Sequence, residues 1–137
     1  MKPSILFIDI ETVSQTHAYD ELPERMKTQW ARKSTFLRSD IEQSPEELYH
    51  DRAAIYAEFG KIVTIALGYF DDSDEHNTSL RLTSIASHDE SQLLQDFVCL
   101  LAKFDHDKLQ LCGHNGKEFD FPYICRRLLI NGLKLPY

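Results

Sequence analysis

Residues 4–10, Ser-Ile-Leu-Phe-Ile-Asp-Ile, constrain this chain more than any other stretch. Ile5 and Phe7 alternate with Leu6, Ile8 and Ile10, so both faces of an extended segment are apolar, the pattern of a central strand buried on two sides. Two carboxylates sit at the end of that strand. Asp9 and Glu11 are two residues apart, and the strand period sends both side chains to the face of Ile5, Phe7 and Val13. Like charges side by side on an apolar face ionise comfortably only beside a cation or an arginine, as in a metal site or an acid/base pair. The plainer alternative is two solvent-facing acids at a strand end.

The rest of the chain supplies the frame. Residues 14–59 form a polar stretch too long for a hairpin loop. Within it Tyr19, Leu22, Met26 and Trp30 recur at helical spacing. Ser44-Pro45-Glu46-Glu47 is a capping box with proline at the first helical position, and Gly60 can close that helix. Two helices inserted between strands 1 and 2, over residues 14–60, are therefore expected.

Residues 62–70 and 80–85 read as the second and third strands, joined by an acidic hairpin loop over 71–77. Ser87 and Glu90 form a second capping box, opening a helix whose apolar face is Leu93, Phe97, Leu100, Leu101 and Phe104. A buried fourth strand over 109–113 follows. Pro122 opens a last helix with Ile124, Cys125, Leu128 and Leu129 inward, ended by Asn131-Gly132. This order is an α/β pattern: a three-strand antiparallel meander, plus a fourth strand parallel to the first after a helical crossover. Ligands of such sheets gather at the carboxyl ends of the strands, where Asp9, Glu11 and Asn115 fall.

A second cluster runs from Gly113 to Tyr123, Gly-His-Asn-Gly-Lys-Glu-Phe-Asp-Phe-Pro-Tyr. Here a strand enters a glycine-containing turn, and Asp120 stands at the start of a helix whose dipole favours an anion. Taken alone, Asp120 reads equally as a helix cap and Asn115 as a turn residue.

Together the two clusters resemble a known family. Phe7-Ile8-Asp9-Ile10-Glu11-Thr12 is similar to the first motif, and Asn115 through Phe119-Asp120 with Pro122-Tyr123 and Arg127 to the second, of the proofreading 3′-5′ exonuclease domain of family B DNA polymerases. That domain belongs to the DnaQ-like superfamily with a ribonuclease H-like fold. Residues 54–63 further resemble stand-alone bacterial relatives of the exonuclease.

The resemblance implies that Asp9, Glu11 and Asp120 ligate two Mg²⁺ or Mn²⁺ ions, about 3.5 to 4 Å apart, for in-line phosphodiester hydrolysis. All-oxygen ligands suit such hard ions. It also implies that Asn115 and Phe119, with backbone amides near Ile10 and Thr12, meet the 3′ end of the strand; Phe119 reads equally as a core residue. The family carries a third motif, a Tyr or His shortly before an Asp, yet no Asp follows Asp120. The expectation is a truncated C-terminal part, weak or absent activity in this chain, and self-association through strand 4 left as an exposed sheet edge.

Composition bounds these readings. At 137 residues the expectation is one domain, 1–137. Fifteen Lys and Arg against 22 Asp and Glu give a net charge of −7. That argues against holding nucleic acid mainly by a basic surface, though not against an enzyme whose carboxylates bind cations. Cys99, Cys112 and Cys125 are unpaired in pattern; with no export leader or membrane span, a bacterial cytoplasm is expected. Cys112 and Cys125 read as small core residues, and His106 and His114 as structural or solvent-facing. Lys117, Arg126 and Arg127 form a solvated helix face or a phosphate contact.

The leading function is thus a nuclease acting on single-stranded or frayed 3′ ends, DNA before RNA. A non-catalytic binding module on the same scaffold is the alternative. A metal-free glycosidase is set aside, because acids two apart on one strand cannot flank a sugar bond from opposite sides.

Overall fold

A computed structural model describes residues 5–37, 42–74 and 77–136. The chain divides into two compact units, Met1–Glu11 with Ile62–Tyr137, and Thr12–Lys61. The elements in order are β1 (Ile5–Ser14), α1 (Glu24–Ser34), α2 (Pro45–Arg52), β2 (Gly60–Asp74), β3 (Asn77–Ala86), α3 (Glu90–Leu101), β4 (Gln110–Cys112) and α4 (Asp120–Ile130), with short 3-10 turns at Tyr19–Glu21 and Ala53–Ile55.

The sheet has the order β3-β2-β1-β4. It is the expected mixed sheet: β2 and β3 pair antiparallel, while β4 lies parallel to β1 with Leu6 opposite Leu111. Beneath it, Leu6, Ile8 and Ile10 of β1, Ile65 and Leu67 of β2, Leu93, Leu94, Phe97 and Leu101 of α3, and Tyr123, Ile124 and Leu128 of α4 form the buried core. Burying each such side chain contributes about 1.5–3 kcal/mol, which is why this face and no other dictates the arrangement.

β1 departs from the two-sided burial expected of it. The face of Leu6, Ile8 and Ile10 is buried, whereas Ile5, Asp9, Glu11 and Val13 are exposed and Phe7 is half-buried. β4 is likewise exposed along its length and forms an edge of the sheet. The β2–β3 strands extend further than expected, to Asp74 and from Asn77; the centre of the expected loop, 75–76, lies outside the described residues.

In the inserted unit the capping box at Ser44 forms as expected: Ser44 Oγ accepts from Glu47 N–H at 3.2 Å and Glu47 Oε2 accepts from Ser44 N–H at 2.8 Å. The helix ends at Arg52 instead of running to Gly60, which opens β2. Leu22, Trp30, Leu48, Tyr49, Ala53 and Phe59 make this unit's own core. Trp30 stands edge-on to Tyr49 and Phe59, and its indole N–H donates to Pro45 O at 2.7 Å.

Candidate active site

The second cluster is built by close approach. After β4 the chain passes tightly over β1: a Cβ on Gly113 would lie 3.0 Å from Ile8 O, and one on Gly116 would lie 2.9 Å from the Phe121 ring. Asn115 takes the left-handed conformation, φ 54°, and its carbonyl accepts from the N–H groups of Glu118 and Phe119, both at 3.0 Å. Asparagine tolerates that conformation better than most residues. The turn delivers the chain into α4, whose first residue is Asp120.

Asp120 is 3% exposed, and its Oδ1 accepts the backbone N–H of Ile10 at 3.1 Å. The helix cap position falls to Phe119, so the capping alternative for Asp120 does not hold. Strand β4 pairs with β1 only as far as Phe7, and Asp120 takes up an amide three residues further along. Two clusters 110 residues apart in sequence therefore meet at the residue between Asp9 and Glu11. The Ile10 amide, expected to face substrate, is committed to this bond.

Asp9 and Glu11 are exposed on the open face of the sheet. Beside Asp9 lies a groove of about 710 Å³ floored by Phe7, Phe70, Leu80, Leu82 and Cys112 and rimmed by His114. Phe7 meets Phe70 edge-on at 5.7 Å. Asn115 is exposed, while Phe119 is half-buried and tilted against Tyr123 at 5.3 Å. Thr12 is half-buried and begins the inserted unit.

Among the described residues, no group of three or more His, Cys, Asp or Glu stands close enough to hold a metal ion. The reason lies in the geometry just given: Asp9 and Glu11 project into solvent, whereas Asp120 is tied to the strand backbone. The donor set nevertheless fits a hard divalent ion. All three side chains are carboxylates, two are exposed, and Oδ1 of the third accepts from the Ile10 amide.

Several side chains fall elsewhere than expected. Cys112 and Cys125 are exposed rather than core, and Leu129 faces solvent. Arg127 is neither on a solvated face nor a free phosphate ligand: it is 5% exposed and pairs with Glu90, itself 9% exposed. Arg127 Nε–H donates to Glu90 Oε1 at 2.9 Å and Nη2–H to Oε2, while Ile62 N–H and Asn131 Nδ2–H also donate to Glu90, at 2.7 and 3.1 Å. Glu90 therefore does not close a capping box with Ser87; Asp89 caps α3 by accepting from Gln92 N–H at 3.1 Å. Lys117, Arg126 and His114 are exposed. No helix among the described residues is long and apolar enough to cross a membrane.

A mixed sheet with two acids midway along its first strand, β1 running on to Ser14 rather than ending at Ile10, met by an acid from the start of a later helix, is a ribonuclease H-like exonuclease fold. Residues 2–137 match the DNA polymerase family B exonuclease domain, and the chain belongs to that family. Over 107 residues, 74% of this chain, it is 32% identical to DNA polymerase 1 of Pyrococcus abyssi, and equally to that of strain GE5 / Orsay. The chain spans 12% of the length of each. These relatives lend no support to the bacterial origin expected from sequence.

Proposed function

We propose that this chain shortens DNA from the 3′ end by metal-dependent phosphodiester hydrolysis, with Asp9, Glu11 and Asp120 as its acidic centre. Family membership supports a nuclease on DNA, and the Asp120–Ile10 hydrogen bond is the observation that carries the site. That bond brings the helix acid to Ile10, the residue between Asp9 and Glu11. Asp9, Glu11 and Asp120 would hold the divalent ions, which when bound supply charge neutralisation for the attacked phosphate and a more acidic water.

The rest of the reading concerns this chain's own groups. Asp9 and Glu11 are exposed, so a strand end can reach them. Asn115, exposed in its left-handed turn, and the half-buried Phe119 would meet the terminal nucleotide. The half-buried Thr12 lies one residue beyond Glu11 on the same strand.

The experiment is digestion of a 5′-labelled single strand with Mn²⁺, paired with Mn²⁺-dependent thermal stabilisation of the chain. A ladder of products shortened from the 3′ end, and a stabilisation, both lost in Asp9→Asn, are expected. Activity or stabilisation that survives Asp9→Asn and Glu11→Gln refutes the assignment.

One observation favours a non-catalytic module: the three acids do not gather into one cluster among the described residues. A module of that kind binds strands equally with and without divalent ions, whereas the nuclease needs them.

A further inference from the structure

Helix α1 of the inserted unit has two unlike faces. Met26 and Trp30 point to this unit's core. On the other side Arg25, Gln29, Arg32 and Phe36 follow one another at spacings of four, three and four, one line along the helix and its exit turn, and all four are exposed. Phe36 is 77% exposed. Lys33 lies alongside, its Nζ held 4.0 Å over the Tyr56 ring.

These residues line a groove of about 600 Å³ in which Glu58 is the single acid among the described residues. Lys27 is paired with Glu24 at 3.1 Å, but among the described residues no carboxylate engages Arg25 or Arg32. In a chain of net charge −7, α1 carries four cations against one anion. The chain-wide charge that argues against a basic binding surface therefore does not describe this face.

We propose that this groove is a contact surface for single-stranded nucleic acid, built from residues other than the three acids. Its chemistry is the one that single strands require: guanidinium groups open to phosphates, and an exposed aromatic ring on which a base can stack. Arg25 and Arg32 are separated by about 10 Å of helix axis, so they meet different phosphates. A duplex satisfies the guanidinium groups but offers Phe36 no free base face, so the row favours a single strand. The proposal rests on the nuclease reading only for the kind of polymer that this chain meets.

Binding of a fluorescent oligothymidylate of about a dozen nucleotides, measured by anisotropy in EDTA, reads the groove without hydrolysis. In Arg25→Gln/Arg32→Gln the slope of log K against log salt should become shallower by about 1.4, from about 0.7 for each of the two phosphates no longer neutralised. Phe36→Ala should weaken binding about fivefold or more with the slope unchanged, and should leave binding to a duplex of equal length unchanged. Circular dichroism of each variant checks that the fold is kept, as exposed side chains predict. Wild-type affinity in either variant, or no salt-dependent binding by the wild type, overturns the proposal. Hydrolysis of a dinucleotide with Mn²⁺, compared with Asp9→Asn, tests the nuclease reading separately. Cleavage with groove-independent binding sinks this proposal alone, and groove-dependent binding without cleavage sinks the other alone.

Discussion

In the proposed site Asp120 would do two things, hold β1 and offer an oxygen to a cation, and two substitutions separate them. Asp120→Ala removes the acceptor of the Ile10 N–H, and both residues are buried, so the amide is left without a partner. An orphaned buried donor costs about 1–3 kcal/mol. Losing a negative charge in the first turn of α4 adds about 0.3–1 kcal/mol. The sum for Asp120→Ala is therefore about 1.3–4 kcal/mol. Asp120→Asn keeps a carbonyl oxygen at the Oδ1 position and loses only the charge assistance and the dipole contribution, about 1 kcal/mol.

Urea unfolding followed by circular dichroism measures both, and the same proteins are titrated with Mn²⁺. The expected outcome is a stability order of wild type, Asn, Ala, with the Mn²⁺-induced stabilisation absent from both variants. Asp120→Ala within about 0.5 kcal/mol of wild type would show that the Ile10 bond holds nothing, since surface substitutions reach that range. An Asp120→Asn protein that keeps its Mn²⁺ response would leave Asp120 a purely structural residue.

Arg127→Met leaves the Glu90 carboxylate buried without its cation and should cost about 3–5 kcal/mol; Glu90→Leu/Arg127→Met should recover part of that, because no charge is then stranded. Urea midpoints read both, and a single-variant loss below about 1 kcal/mol would refute the pairing as a structural lock. Ser44→Ala removes one arm of the α2 capping box and should cost about 1 kcal/mol in the same assay, with a loss near zero telling against the cap.

Elements whose signals are local are legible in the sequence, and those settled by distant partners are not. The Ser44 box is reciprocal within four residues, so its spelling is sufficient. Gly132 ends α4 at φ 70°, again a local demand. The same spelling at Ser87 and Glu90 misleads, because Glu90 is drawn away by Ile62, Arg127 and Asn131, between 28 and 41 residues distant.

The phase of α4 escapes a local reading for a related reason. The buried line is Asp120, Tyr123, Ile124, Arg127 and Leu128, and two of its five members are charged. A reading that sends charges outward rotates the stripe onto Cys125 and Leu129. Glu90 supplies what lets Arg127 lie inside, and nothing near Arg127 in sequence announces it.

The acidic residues of the site obey the same division. Strand parity places Asp9 and Glu11 on one face whatever else the chain does, so that pairing needs no partner to be seen. The depth of the face does need one: β1 is apolar on both sides, but only Leu6, Ile8 and Ile10 are buried. Asp9 consequently stands beside an open apolar groove instead of within a closed one, and Glu11 is exposed. Asp120 can be read to a helix start, but its carboxylate is aimed by an amide 110 residues away. That aim ties the second motif to the first, and it makes the position of Asp120 depend on β1 keeping its register rather than on the ions. In the proposed site the fold would thus set one acid before a cation arrives and leave the other two exposed to turn toward it.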